Sequence, residues 1–213
     1  MLLPRPHDLL WITDRSDLQS DTPLPDWVAS AWRPALPLVV RRDKRADGAV
    51  AVGIRGVNRL QRAAAWVAPA SIKHLITPES LVVDVNTLLR SPFVSQQPVQ
   101  ALIALCEQRF PWMWGVTGSC AYALATDIPV MHAESDLDLL IRCSQRVERA
   151  EFSDFYSLLQ KLPCRADVQI NTPAGGFALS EWLSADRVML KTDTGPLLVD
   201  DPWAVMGQCE SAL

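Results

Sequence analysis

The chain has 213 residues, of which 49% are hydrophobic and 21% charged, with a formal net charge of −4 and a mean hydropathy of +0.08. That length holds one domain of ordinary size or two small ones, and the composition excludes disordered, collagenous and membrane-spanning classes, since no apolar run reaches the ~18 residues of a membrane helix. The first residues lack a signal peptide's basic start and long apolar stretch, and the five cysteines include no C-x-x-C pair, so a cytoplasmic protein with reduced, unpaired thiols is expected.

Charge is unevenly spread. Residues 1–90 carry 12 Lys and Arg against 9 Asp and Glu, whereas residues 91–213 carry 8 against 15. Arg41, Arg42, Lys44, Arg45, Arg55, Arg59 and Arg62 crowd one short stretch opposed only by Asp43 and Asp47, a pattern that suits phosphate, an acidic partner or simply a solvated face. The acidic second part argues against duplex nucleic acid as a partner, because such binding needs many phosphate contacts.

In chain order, P-L-V-V-R-R (37–42) and V-A-V-G-I-R-G-V (50–57) predict two strands joined through a turn at Asp47-Gly48. N-R-L-Q-R-A-A-A-W-V (58–67) predicts a helix capped by Asn58, and S-L-V-V-D-V (80–85) a strand. S-P-F-V-S-Q-Q-P (91–98) reads as a linker, which divides the chain into an N-terminal basic α/β domain (1–90) and a second domain (91–213). Beyond it, residues 99–109 have the spacing of an amphipathic helix, 112–119 form a short strand running into a Gly-Ser turn, and 120–126 are rich in helix-forming Ala and Leu. Residues 136–142 and 166–171 predict strands on either side of a helix at 148–162. The order is that of an α+β core, a mixed sheet with helices packed against it.

Five residues of the second part carry the chemistry. Alternation along a strand puts Asp136 and Asp138 on one side, where two carboxylates repel unless a cation resolves the conflict. Mg²⁺ suits such a place, since it takes one or two carboxylates together with substrate phosphates. Asp167 lies on the later strand with Val168 and Ile170 turned to the core, and completes a triad if the strands are neighbours. Gly118 and Ser119 stand between a strand and a helix N-terminus, where backbone N–H groups bind phosphate and a serine hydroxyl can add a donor. A phosphate cradle, a D-x-D strand and a third acid equip a site for metal-assisted phosphoryl or nucleotidyl transfer. The scattered His7, His74 and His132 offer no zinc spacing. Of the eight tryptophans, Trp112 and Trp114 flank the turn, as core residues or as a stacking surface for adenine.

In this ordered set the chain resembles the nucleotidyltransferase superfamily that includes polymerase β. A narrower resemblance runs along nearly its whole length. R-P-H-D-L-L-W (5–11), V-G-I-R-G-V-N-R-L-Q-R (52–62), W-G-V-T-G-S-C-A-Y-A-L (114–124), S-D-L-D-L-L (135–140), A-D-V-Q-I-N-T-P-A-G-G-F-A-L-S-E-W (166–182), L-K-T-D-T-G-P (190–196) and D-P-W (201–203) are similar to the malonate decarboxylase holo-acyl-carrier-protein synthase family. That resemblance implies a polymerase-β-like core. It also implies a phosphoribosyl-dephospho-CoA transferase, moving the group from 2′-(5″-triphosphoribosyl)-3′-dephospho-CoA onto a serine of the apo acyl carrier protein of malonate decarboxylase, with release of pyrophosphate. Asp136, Asp138 and Asp167 would then be catalytic and hold Mg²⁺ or Mn²⁺. Gly118, Ser119, Arg55, Arg59, Arg62 and Lys191 are the candidates for binding substrate. The basic stretch 41–62 would hold its phosphates or else dock the carrier, and Lys191 would neutralise the departing pyrophosphate or else form a surface salt bridge. Two other readings share the acids: an ATP-using enzyme that modifies a protein or an antibiotic, and a non-catalytic nucleotide-binding scaffold.

Overall fold

The computed structural model describes residues 3–56 and 60–204, which fall into two compact units, Met1–Thr77 and Pro78–Leu213. In the first unit the elements are β1 (Leu9–Ile12), β2 (Leu18–Gln19), a short helix α1 (Asp26–Ser30), β3 (Leu38–Val40), β4 (Val50–Arg55), β5 (Arg62–Val67) and β6 (Ile72–Ile76). The strands form one sheet in the order β2-β5-β4-β3-β1-β6, with every neighbouring pair antiparallel. Period-two alternation decides its faces. Leu10, Ile12, Leu38, Val40, Val52, Ile54, Ala65 and Val67 close a core with Val28 and Trp32 from the α1 region. This unit is therefore an antiparallel sheet with one short helix, not the α/β domain expected.

The opposite face carries the arginines. Arg55 stands directly across from Arg62, and Ala51 across from Trp66. Arg45 lies over the Trp66 ring, 5.0 Å from its centroid, while the stem of Arg41 runs over Gly53.

The predicted helix at 58–67 is a strand from Arg62 onward. Its alanines fit either structure, and pairing with β4 decides between them: Ala63, Ala65 and Val67 fall opposite Ile54, Val52 and Val50 on the core face. Asn58 and Arg59 lie outside the described residues. The sequence reading assigns no element to β1 or β6.

The second unit begins with a 3₁₀ turn (Glu79–Val82) where a strand is expected at 80–85. Asp84 then accepts the Asn86 N–H at 2.9 Å and starts α2 (Val85–Arg90). Residues 91–96 are turns between α2 and α3 (Gln97–Cys106) that bury Phe93, so the expected linker lies inside this unit and the units divide at Thr77/Pro78. There follow β7 (Met113–Val116), α4 (Gly118–Thr126), β8 (Leu137–Arg142), α5 (Arg149–Leu159), β9 (Ala166–Asn171), β10 (Gly176–Ala178), α6 (Leu179–Ser184), β11 (Val188–Thr192) and β12 (Gly195–Val199). The sheet order is β12-β11-β10-β9-β8-β7, mixed because β8 and β9 run parallel across the α5 crossover while the other pairs are antiparallel.

One face of this sheet, with Leu139, Ile141, Val168, Ile170, Phe177 and Leu190, joins Leu102, Leu105, Ala123, Phe152 and Phe155 from the helices in a single core. Trp112 stacks on Phe110 at 6.1 Å and meets Phe152 and Phe155, and Trp114 meets Phe110 edge-on, so both rings are packing residues. On the other face Gly115 lets the 3₁₀ turn lie flat on β7, where Glu79 pairs with Arg142 across it.

A methyl group at Gly115 would meet the backbone of Pro78 and Glu79, its carbon 2.5 Å from the Pro78 carbonyl oxygen. Backbone cannot rotate away as a flexible side chain can. Gly115→Ala is expected to destabilise the protein by ~1–3 kcal/mol, the usual cost of overpacking, read as a fall in the denaturant midpoint at unchanged slope.

Candidate functional site at the β7–α4 turn

Before β8 the chain makes a tight turn. The His132 N–H donates to the buried Ser135 Oγ at 2.9 Å, and the Ser135 N–H donates to the His132 carbonyl at 2.9 Å. Next comes Asp136, then Leu137, whose N–H donates to the Arg165 carbonyl at 2.9 Å and ties the start of β8 to the entry of β9. From that point the parallel register sets Asp138 directly beside Asp167. Paired residues of neighbouring strands point to the same face, so both carboxylates leave the sheet together; Asp136 stands just before the strand, which begins at Leu137 rather than at 136 as expected. Leu137, Leu139, Val168 and Ile170 are buried on the other side.

Strand β7 brings the glycine turn to the same place. Val116 pairs with Leu139, and the Thr117 N–H donates to the Asp138 carbonyl at 2.8 Å. Thr117 is the N-cap of α4, yet its side chain makes no capping bond to the helix. Gly118 follows with φ +65°, and a β-carbon there would overlap the Asp138 carboxylate, 2.8 Å from its Cγ. Both the left-handed backbone and the missing side chain are therefore required at this position. The first turn of α4, with half-buried Ser119, opens beside Asp138.

Beneath the acids lie two thiols that the sequence reading passes over. Burial pushes Cys120 up to about 12, with Cys164 and Asp138 adding to the effect, and burial followed by the charge of Asp136 raises Cys164. A second feature unrecognised in the sequence is Arg165. One nitrogen of its guanidinium, Nη2, donates to both oxygens of Asp167, to Oδ2 at 2.7 Å and to Oδ1 at 3.0 Å. Strand alternation was the available signal, since residues 165 and 167 share a side.

The structure thus brings together Gly118, Asp138 and Asp167, with Ser119 and Asp136 the adjoining residues at the turn and before β8. It does not bring Lys191 to them. Lys191 pairs with Gly176, which pairs with Asn171, so it stands two strands from β9 and four residues along from Asp167, or ~13 Å along the strand direction. Arg55 and Arg62 belong to the first unit, and Arg59 lies outside the described residues. Glu181, another acid near the end of the chain, accepts the Met189 N–H at 3.1 Å and serves the α6–β11 packing.

Three carboxylates with no imidazole among them form an oxygen donor set, the kind that Mg²⁺ and Mn²⁺ prefer. Among the described residues no three His, Cys, Asp or Glu side chains converge as a metal-holding group, and both oxygens of Asp167 are turned to Arg165. The donors fit a divalent cation in kind, with the third one engaged by an arginine.

Two family models match the chain. Residues 5–78 match the phosphoribosyl-dephospho-CoA transferase MdcG N-terminal domain, and residues 86–202 the C-terminal domain of the same transferase. The chain is 56% identical to a phosphoribosyl-dephospho-CoA transferase of Klebsiella pneumoniae over 200 residues, covering 94% of this chain and 96% of that one. It is 44% identical to one of Azotobacter vinelandii over 210 residues (95% of each chain) and 38% identical to one of Pseudomonas aeruginosa over 208 residues (95% of each). No solved structure matches the chain.

The contact between Gly118 and Asp138 is open to a thermodynamic test. Gly118→Ala is expected to lower stability by ~1–3 kcal/mol through backbone strain and overlap. Adding Asp138→Ala removes the carboxylate that the methyl strikes, so the double variant is expected to regain part of the loss, with a coupling of ~0.5–3 kcal/mol in a double-mutant cycle. Additive effects would deny the contact.

Proposed function

Since the chain belongs to the phosphoribosyl-dephospho-CoA transferase family, we propose that it loads a carrier protein: it transfers the phosphoribosyl-dephospho-CoA group from its 5″-triphosphate onto a serine of the apo acyl carrier protein of malonate decarboxylase. The observation that carries this reading is the junction of the Gly118–Ser119 turn with Asp138, while Asp167 stands beside Asp138 on the next strand. A phosphate-binding turn and clustered carboxylates on a mixed sheet are the equipment of the polymerase-β-like nucleotidyltransferase core, and we assign the second unit to that core.

In this mechanism the serine Oγ attacks the phosphorus nearest the ribose. The new Oγ–P bond forms as the P–O bond to pyrophosphate breaks in line with it, and the serine proton passes to the Asp167 carboxylate. Backbone N–H groups at the start of α4 and the Ser119 hydroxyl hold the departing phosphates. Asp136, Asp138 and Asp167 would hold Mg²⁺ or Mn²⁺, which supplies charge neutralisation to the triphosphate. Most of the work is positioning, as phosphoryl transfer demands. Release of pyrophosphate on mixing enzyme, triphosphate substrate and apo carrier tests the reading. Turnover of ATP in their place would favour a protein- or antibiotic-modifying enzyme, and silence with either would favour a scaffold.

The acids divide the labour. Asp136→Ala and Asp138→Ala are expected to abolish transfer with the fold retained, because their loss relieves repulsion. Asp167→Asn is expected to slow single-turnover transfer by ~10²–10⁴-fold, the usual worth of general-base assistance, while direct binding of the triphosphate substrate changes far less. Lost binding with normal transfer at saturation would move Asp167 to substrate recognition.

The arginine face of the first unit we assign to the carrier. Arg55 and Arg62 sit opposite one another at one end, with Arg45, itself paired with Asp47, on Trp66 four residues along β5, a span of ~13 Å that suits a protein surface better than a single phosphate group. Arg55→Glu and Arg62→Glu are expected to raise the KM for carrier with kcat for the bound complex unchanged, and the wild-type KM is expected to rise with salt across the range where screening shortens to ~10 Å. A salt-independent KM with silent variants would return these residues to a solvated role.

A further inference from the structure

Arg165 is a cation that the acid cluster already contains. Its backbone is held at the mouth of the site, because its carbonyl accepts the Leu137 N–H between Asp136 and Asp138. Its guanidinium takes both oxygens of Asp167 while remaining 70% exposed, against 47% for its partner. A pair this open to water is held weakly. The guanidinium also has somewhere to go, for Arg165, Cys164, Tyr156, Gln160 and Asp167 are among the residues lining a cavity of about 430 Å³ beside β9.

Asp138 and Asp167 are set side by side by register and would repel without a counter-ion, and Arg165 already holds the second of them.

We propose that Arg165 is an exchangeable counter-ion: it neutralises the acid cluster when no substrate is bound, yields Asp167 to the divalent cation on loading, and then takes the phosphate oxygens of the substrate. The inference rests on the reading of Asp136, Asp138 and Asp167 as cation ligands. The swap is chemically balanced, since Arg165 changes one anionic partner for another, and a guanidinium, with five N–H donors, can take two phosphate oxygens at once in a planar fork.

The test uses the full chain with Mn²⁺ and inorganic pyrophosphate as probes, and reads binding by calorimetry and by the paramagnetic signal of free Mn²⁺. Without substrate, Arg165→Ala is expected to bind Mn²⁺ about fivefold more tightly than wild type, the upper range of an exposed ion pair. Arg165→Lys keeps a competing charge and is expected to bind Mn²⁺ nearly as wild type does. With Mn²⁺ saturating, pyrophosphate is expected to bind Arg165→Ala more weakly than wild type, with Arg165→Lys failing to restore it because the fork is gone. Equal Mn²⁺ affinity in wild type and Arg165→Ala overturns the exchange and leaves the metal reading standing, as does pyrophosphate binding that Arg165→Ala does not change. Mn²⁺ binding that Asp138→Asn leaves unaltered, or absence of Mn²⁺ binding in wild type and Arg165→Ala alike, overturns the metal reading itself and the exchange with it.

Discussion

Two carboxylates on directly paired residues of parallel strands are an arrangement that a protein has to hold in place. Asp138 and Asp167 are set side by side by the β8–β9 register, and mutual repulsion between such groups works against that pairing. The hydrophobic residues on the reverse of the same strands supply the restoring force. Leu137, Leu139, Ile141, Val168 and Ile170 are all buried in one core, and a slip of one residue would turn each of them to the opposite face. The acids are close because their apolar neighbours have no other place to go.

The same register accounts for the glycine. Antiparallel pairing of β7 with β8 ends where Thr117 donates to the Asp138 carbonyl, so the next residue must pass over the Asp138 side chain. Only a residue without a β-carbon passes there, and only a positive φ turns the chain into α4 at that point. A turn that reads in the sequence as an ordinary Gly-Ser is, in space, the contact that joins a helix N-terminus to the carboxylates.

Local chemistry was legible in the sequence and long-range register was not. Alternation alone turns Val168 and Ile170 inward, and this needs no tertiary information. The helix expected at 58–67 failed because Ala63, Ala64 and Ala65 suit either structure, and only β4 as a partner decides. The strand expected at 80–85 failed because Asp84 caps a helix, a role its side chain can announce only when Asn86 follows in helical geometry. Lys191 follows the acids in linear order and reads as part of their site, yet β10 lies between its strand and β9, a spacing that no feature of residues 188–192 encodes. Arg165 could have been found, being two residues from Asp167 on an extended chain.

Charge distribution then acquires a reason. On the proposed reading, a unit whose carboxylates bind a cation repels the very molecules assigned to it, a polyphosphate substrate and an acidic carrier. Cations are needed at two ranges. At short range Arg165 tempers the acid cluster itself. At longer range, on that reading, the β4–β5 arginines of the first unit present a positive face to an acidic partner, with Arg55 directly across from Arg62. The basic first part and acidic second part of the sequence therefore read as two halves of one electrostatic requirement. On the proposed reading, carboxylates hold the reacting centre, and arginines kept on a separate sheet attract what those carboxylates would turn away.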